Sequence, residues 1–289
     1  MCDSSPPPTP RNPSNHVSVH NEDCVTLSQS FIIYDMDEYQ TSSIIYWYEE
    51  LEERLIEFLK FLPFTLENLN VSSPRLAGVV TETCHILDSL FREVSNPKET
   101  IKGEIKKKAG LVVTDYAELY ANRLNLPATK SLIFVSPPRY LIPFEKWESL
   151  TMGGEYEPLP WWRAYNKLKH SRIKNMKEAT LANAVNSLCG LHQVIARLPK
   201  LIRATLRHGW LQLGDYDPQC LIERLEGRLD LIKDTFLGTV LSNEDTFLVE
   251  SKLFAVPIGI DPFPDDIADL LPIHYRGHSE RFTRFTGRW

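Results

Sequence analysis

The apolar positions of this chain fall mostly into helical spacing. In IIYWYEELEERLIEFLKFL, residues 44–62, Trp47, Leu51, Leu55, Phe58 and Leu62 recur three and four apart with acids on other positions, which predicts an amphipathic helix. Ser73 followed by Pro74 supplies a cap and a first-turn proline for a second helix. There Leu76, Val79, Val80, Cys84, Leu87 and Phe91 hold the period to about Val94. Asn96-Pro97 ends it, and KETIKGEIKKKAG reads as a solvated, Lys-rich connection. A third helix runs from about Thr114 through Arg123 and stops before Pro127. Helical spacing returns from Trp161 to about Arg172, and again from Lys177 to about Arg207, the longest helix expected.

Other signals are shorter. Ser131 to Val135 reads as a small strand or extended excursion, Phe247 to Val256 as a strand, and Pro218 to about Asp234 as a helix. GIDPFPDDIADLLP ends in a short helical turn. Residues 1–28 are rich in Pro, Ser and Asn and predict a disordered arm. The expected fold is therefore mainly α: an antiparallel helical bundle over residues 29–208 with a small irregular or β excursion, followed by a mixed extension over 209–289.

Composition narrows the function classes. With 289 residues, 32 Lys plus Arg against 38 Asp plus Glu, a net charge of −6 and 43% hydrophobic residues, the chain is neither collagen-like nor a uniformly basic nucleic-acid coat. The five cysteines are odd in number and scattered, which predicts reduced thiols. No long apolar run and no signal-peptide core is visible, so a cytoplasmic protein without a membrane span is expected.

One segment departs from this balance. From Trp161 through Lys177 there is no acid, while Arg163, Lys167, Lys169, Arg172, Lys174 and Lys177 all lie there. On a helix, Arg163, Asn166, Lys167 and His170 share one face, and Trp161, Ala164, Tyr165 and Leu168 share another. A solvated charged stripe is one meaning of such a face. The other is a phosphodiester site: cations for phosphate oxygens, an amide to orient them, and an imidazole whose ordinary pKa of about 6.5 suits proton transfer at neutral pH.

Arg163-x6-His170, set in WWRAYNKLKHSR and followed by the apolar stretch ATLANAVNSLCGLHQVIARL, resembles the signature of HEPN-domain proteins, Arg, four to six residues, then His. The earlier helix SPRLAGVVTETCHILDSLFREV resembles the first-half helix of such domains. The likeness covers roughly residues 44–207. It implies an all-helical bundle that dimerises to bring two Arg/His pairs together. In many members the activity is a metal-independent endoribonuclease of toxin–antitoxin or antiviral defence systems, with no cofactor and with an antitoxin or other regulatory protein as a further partner. Carried onto this chain, Arg163, Asn166 and His170 are the catalytic candidates, and Lys167, Lys169 and Arg172 the RNA- or phosphate-binding ones. His85, Asp88 and Arg92, on one face of the second helix, are auxiliary candidates or a polar seam between helices. Family members often place a polar residue directly after the Arg, where this chain has Ala164. A non-catalytic nucleotide-, RNA- or protein-binding module is the alternative.

Weaker signals carry less. Cys189-x2-His192 lacks partners at matching spacing for zinc, and His274 and His278 lack the Glu of a zinc-protease helix. The tail HYRGHSERFTRFTGRW interleaves Arg with aromatics. It fits either a single-strand RNA clamp or a segment docked on its own domain.

Overall fold

The computed structural model describes residues 36–213, 218, 246–259, 262–271 and 274–286. The arm expected over residues 1–28 lies outside them, as does the helix expected after Pro218.

Helix α1, Glu38–Leu59, opens on a capping box in which the Asp37 carboxylate accepts from the Gln40 amide and the Gln40 side chain accepts in return from the Asp37 amide. Its buried stripe is Thr41, Ile44, Ile45, Tyr48, Leu51, Glu52 and Leu55; Leu51 and Leu55 fall where the sequence reading put them, with Phe58 and Leu62 packed on the core, and Tyr48 takes the place expected for Trp47. Trp47 is consequently 58% exposed, and Glu52 is among the most buried residues of the chain. Helix α2, Pro74–Val94, is capped by Ser73 as expected.

The Lys-rich connection is a β-hairpin, β1 (Lys98–Ile101) with β2 (Glu104–Lys107). Its turn residues Lys102 and Gly103 both have positive φ, 49° and 81°, the backbone a tight two-residue hairpin requires. Helix α3, Val113–Tyr120, follows, then β3 (Ser131–Ile133), β4 (Arg139–Leu141), the single-turn α4 (Glu148–Thr151) and α5 (Pro160–His170). The long helix expected from Lys177 to Arg207 is two: α6 (Leu181–Arg197) and α7 (Ile202–Arg207), interrupted at Leu198-Pro199 where proline removes a backbone donor. The Phe247–Val256 region is likewise a pair of strands, β5 (Phe247–Glu250) and β6 (Phe254–Ile258), and α8 (Glu280–Thr286) comes last.

Strands β4, β3, β6 and β5, in that spatial order, form one antiparallel sheet. Side chains alternate across it. Ile133, Phe247, Val249, Phe254, Val256 and Ile258 join the main core with the helices, while Leu132, Leu248 and Ala255 join a second core with Phe263, Leu270, Tyr275 and Phe282. The sheet is thus covered on both faces, by α6 and its neighbours on one and by residues 262–271 and 274–286 on the other. Gly277 makes that cover possible: its φ is +64°, and a Cβ there would lie 1.4 Å from the Gln212 carbonyl oxygen.

This overturns the mainly α, antiparallel-bundle expectation. The chain is mixed α and β, about 52% helix and 12% strand, with two small antiparallel sheets. The physical reason is long-range pairing: the excursion at Ser131 is completed by strands more than a hundred residues later, which local periodicity does not reveal. No helix among the described residues is long and apolar enough to cross a membrane.

Candidate functional site

Helix α5 carries the segment of reversed charge. Pro160 occupies its first turn, where a missing N–H costs nothing. Trp161, Trp162, Ala164, Tyr165 and Leu168 are all buried, and this face packs on α2 and α6. Trp161 is held at both ends: its indole N–H donates to the Pro143 carbonyl at 2.9 Å, and its ring lies against Gly190, where α6 has no side chain. Trp162 meets Trp161 and Tyr165 edge-on at 5.6 and 5.7 Å. At the other end Asn175 donates to the carbonyls of Lys167 and Ser171, closing the helix. The polar face of α5 is therefore presented by a fixed helix.

On that face Arg163, Asn166 and His170 are exposed, and their side chains have no hydrogen-bond or ion-pair partner among the described residues. Lys167, on the same stripe, is engaged: its ammonium pairs with Glu178 at 2.7 Å. The acid-free run thus ends one residue short of a partner that offsets part of its charge. Seven residues of helix rise about 10.5 Å, so Arg163 and His170 of one chain stand too far apart to grip one phosphate together.

Lys169 and Arg172 belong elsewhere. Six residues beyond Arg163, Lys169 points about 240° around the helix, and its ammonium stands 5.4 Å from the Tyr165 ring centroid. Arg172 donates to the Thr81 hydroxyl of α2 at 3.0 Å. Both line a groove of about 680 Å³ among α1, α2 and α5, and of the auxiliary candidates only His85 lines it with them. Asp88 and Arg92 pair with each other at 3.0 Å, and Asp88 accepts from the Tyr116 hydroxyl at 2.9 Å. Burial pushes the Tyr116 phenol up to about 12, which keeps it a donor, so this pair is a seam tying α2 to α3.

No family model, no curated protein and no solved structure matches this chain. The functional reading therefore rests on the site itself.

The remaining sequence candidates have structural work. His192 is fully buried among the rings of Tyr48, Trp210 and Phe254, and burial pulls its imidazole down to about 3. The Cys84 and Cys189 thiols are free and buried, and burial pushes Cys189 up to about 12, far from a reactive thiolate. In the tail, Phe282 is buried in the second core, Phe285 packs on Phe134 at 5.3 Å, and Arg284 pairs with Glu280. The docked arrangement accounts for these residues. Sequence reasoning passed over Trp47, Glu50, Arg54 and Glu82 of the groove. The wheel arithmetic that separates Lys169 from Arg163 was available in the sequence, whereas the juxtaposition of α1 with α5 was not.

Proposed function

We propose that the protein acts on RNA through the exposed stripe of α5, as a metal-independent endoribonuclease formed by two copies of the chain. The observation that carries this reading is the set Arg163, Asn166 and His170: a guanidinium, an amide and an imidazole on one face of a well-anchored helix, none of them used by the described fold. Buried anchors beneath and unspent polar groups above are what a rigid binding face requires.

The chemistry follows from the groups. The His170 imidazole takes the proton of an RNA 2′-hydroxyl as its oxygen attacks the adjacent phosphorus. The guanidinium of Arg163 neutralises the charge on the five-coordinate intermediate, and Asn166 orients a phosphate oxygen. The P–O5′ bond breaks, the departing 5′-oxygen takes a proton from solvent water, and the products are a 2′,3′-cyclic phosphate and a 5′-hydroxyl. A two-fold pair brings an Arg163 and a His170 from different chains within reach of one phosphate. The HEPN resemblance supports the same pairing and a defence or toxin–antitoxin setting with a regulatory protein partner.

Full-length protein incubated with RNA in excess chelator is expected to produce cyclic-phosphate ends. Arg163→Ala and His170→Ala are each expected to lower the cleavage rate by about 10²–10³-fold with unchanged thermal unfolding, since both side chains are exposed. Cleavage at an undiminished rate in His170→Ala would refute the assignment. A second reading, RNA binding without cleavage, is favoured by Ala164, which is buried where the family often has a polar residue. Binding lost in Arg163→Ala with no cleavage by the wild type would establish it.

A further inference from the structure

The groove among α1, α2 and α5 lies on the other side of α5 from the RNA stripe, and its chemistry is divided. At one side Arg54 bridges Glu50 at 3.2 Å and Glu82 at 2.9 Å, so these three charges largely satisfy one another. At the other side stand Lys169, Arg172 and His85, with no acid paired to either cation among the described residues. Arg172 is oriented by Thr81 and Lys169 stands near the Tyr165 ring, so the cations are held without being neutralised. Between the two sides the wall is apolar and aromatic: Leu51, Ile86, Leu168 and the indole of Trp47, more than half of it open to solvent. Tyr165, which also lines the groove, has a buried hydroxyl with no hydrogen-bond partner.

We infer that this groove binds a planar aromatic anion, its ring against Trp47 and the aliphatic wall and its anionic group on Lys169 and Arg172. Each feature has a use in that complex. The open indole supplies a stacking plate, two held cations receive an oxyanion, and the Tyr165 hydroxyl gains a partner. Carboxylates at the far side accept from an exocyclic amino group, which an adenine ring carries and a phenyl ring lacks. A groove of about 680 Å³ is within the range that encloses a ligand of this size. The inference stands apart from RNA cleavage and holds whether or not the chain is a nuclease.

Titration calorimetry and tryptophan fluorescence on the full chain, with adenosine 5′-monophosphate and phenyl phosphate as probes, test it. One site per chain is expected. Ribose 5-phosphate, which lacks the ring, and adenosine, which lacks the charge, should each bind at least about tenfold more weakly than the monophosphate, a difference of about 1.4 kcal/mol. Trp47→Ala and the double variant Lys169→Ala/Arg172→Ala should each weaken binding by about tenfold or more, with helical circular dichroism confirming the fold. Equal binding of both probes makes the site general for aryl anions; preference for the nucleotide assigns a role to the carboxylates. No binding of either probe at millimolar concentration would overturn the inference. So would undiminished affinity in the double variant, or a loss in Arg163→Ala as large as in the double variant, which would place the anion on the outer stripe.

Discussion

Replacing Glu52 by Ala should destabilise the protein by about 3–5 kcal/mol, measured by urea unfolding at neutral pH. The carboxylate is 1% exposed and accepts from four donors: the Tyr48 hydroxyl at 2.9 Å, the Ser251 hydroxyl, and the backbone N–H groups of Lys252 and Leu253, both at 3.0 Å. It ties α1 to the turn between β5 and β6, so its loss leaves buried donors without acceptors on both sides of that contact. Glu52→Gln keeps one acceptor oxygen and sets an amide N–H against a donor, and it should cost about 1–2 kcal/mol. Equal stability of Glu52→Ala and wild type would contradict this role.

His192→Phe is expected to lessen the protein's loss of stability in acid. Both ring nitrogens are buried without a partner, and burial holds the imidazole near 3 in the folded chain against about 6.5 when unfolded. The unfolded state therefore binds the proton first, and the contribution of a neutral His192 is complete above about pH 6.5 and is lost as pH falls toward 3. The span corresponds to roughly 5 kcal/mol, at about 1.4 kcal/mol per pH unit in that window. Glu52 and Glu250 act oppositely: burial raises both, so the folded state holds their protons longer and stability falls as pH rises above their unfolded value of about 4.3. The difference between variant and wild type cancels those two terms. At neutral pH the apolar ring is expected to be neutral or mildly stabilising, because it removes two unsatisfied polar atoms of similar shape. Parallel stability curves for the two proteins between pH 4.5 and 6.5 would contradict the assignment.

What the sequence made legible were features enforced by local chemistry. The cap at Ser73, the span of α5, its division into a buried aromatic face and an exposed Arg163–Asn166–His170 face, and the strand at Ser131 all follow from spacing, proline and capping groups. Lys102-Gly103 and Pro199 were also local signals, a hairpin turn and a helix stop, and the continuous Lys and apolar patterns around them masked both. Two features needed the third dimension. The fold class turned on β3 pairing with β6, a contact between segments with no shared local signature. The burial of Glu52, one of the acids set outside the apolar stripe of α1, depends on donors that the β5–β6 turn supplies. At the site, the helical wheel already sets Lys169 apart from Arg163, but the groove that Lys169 and Arg172 share with Trp47 is visible only in three dimensions.

Complementation between Arg163→Ala and His170→Ala is the most direct measurement of a site shared by two chains. Each variant alone is expected to be inactive on RNA. In an equal mixture half of the pairs are mixed, and each mixed pair holds one intact site of two, so activity should return to about a quarter of wild type. Cleavage by either variant alone at the wild-type rate, or no recovery in a mixture shown to have exchanged subunits, would contradict a site built from Arg163 of one chain and His170 of the other.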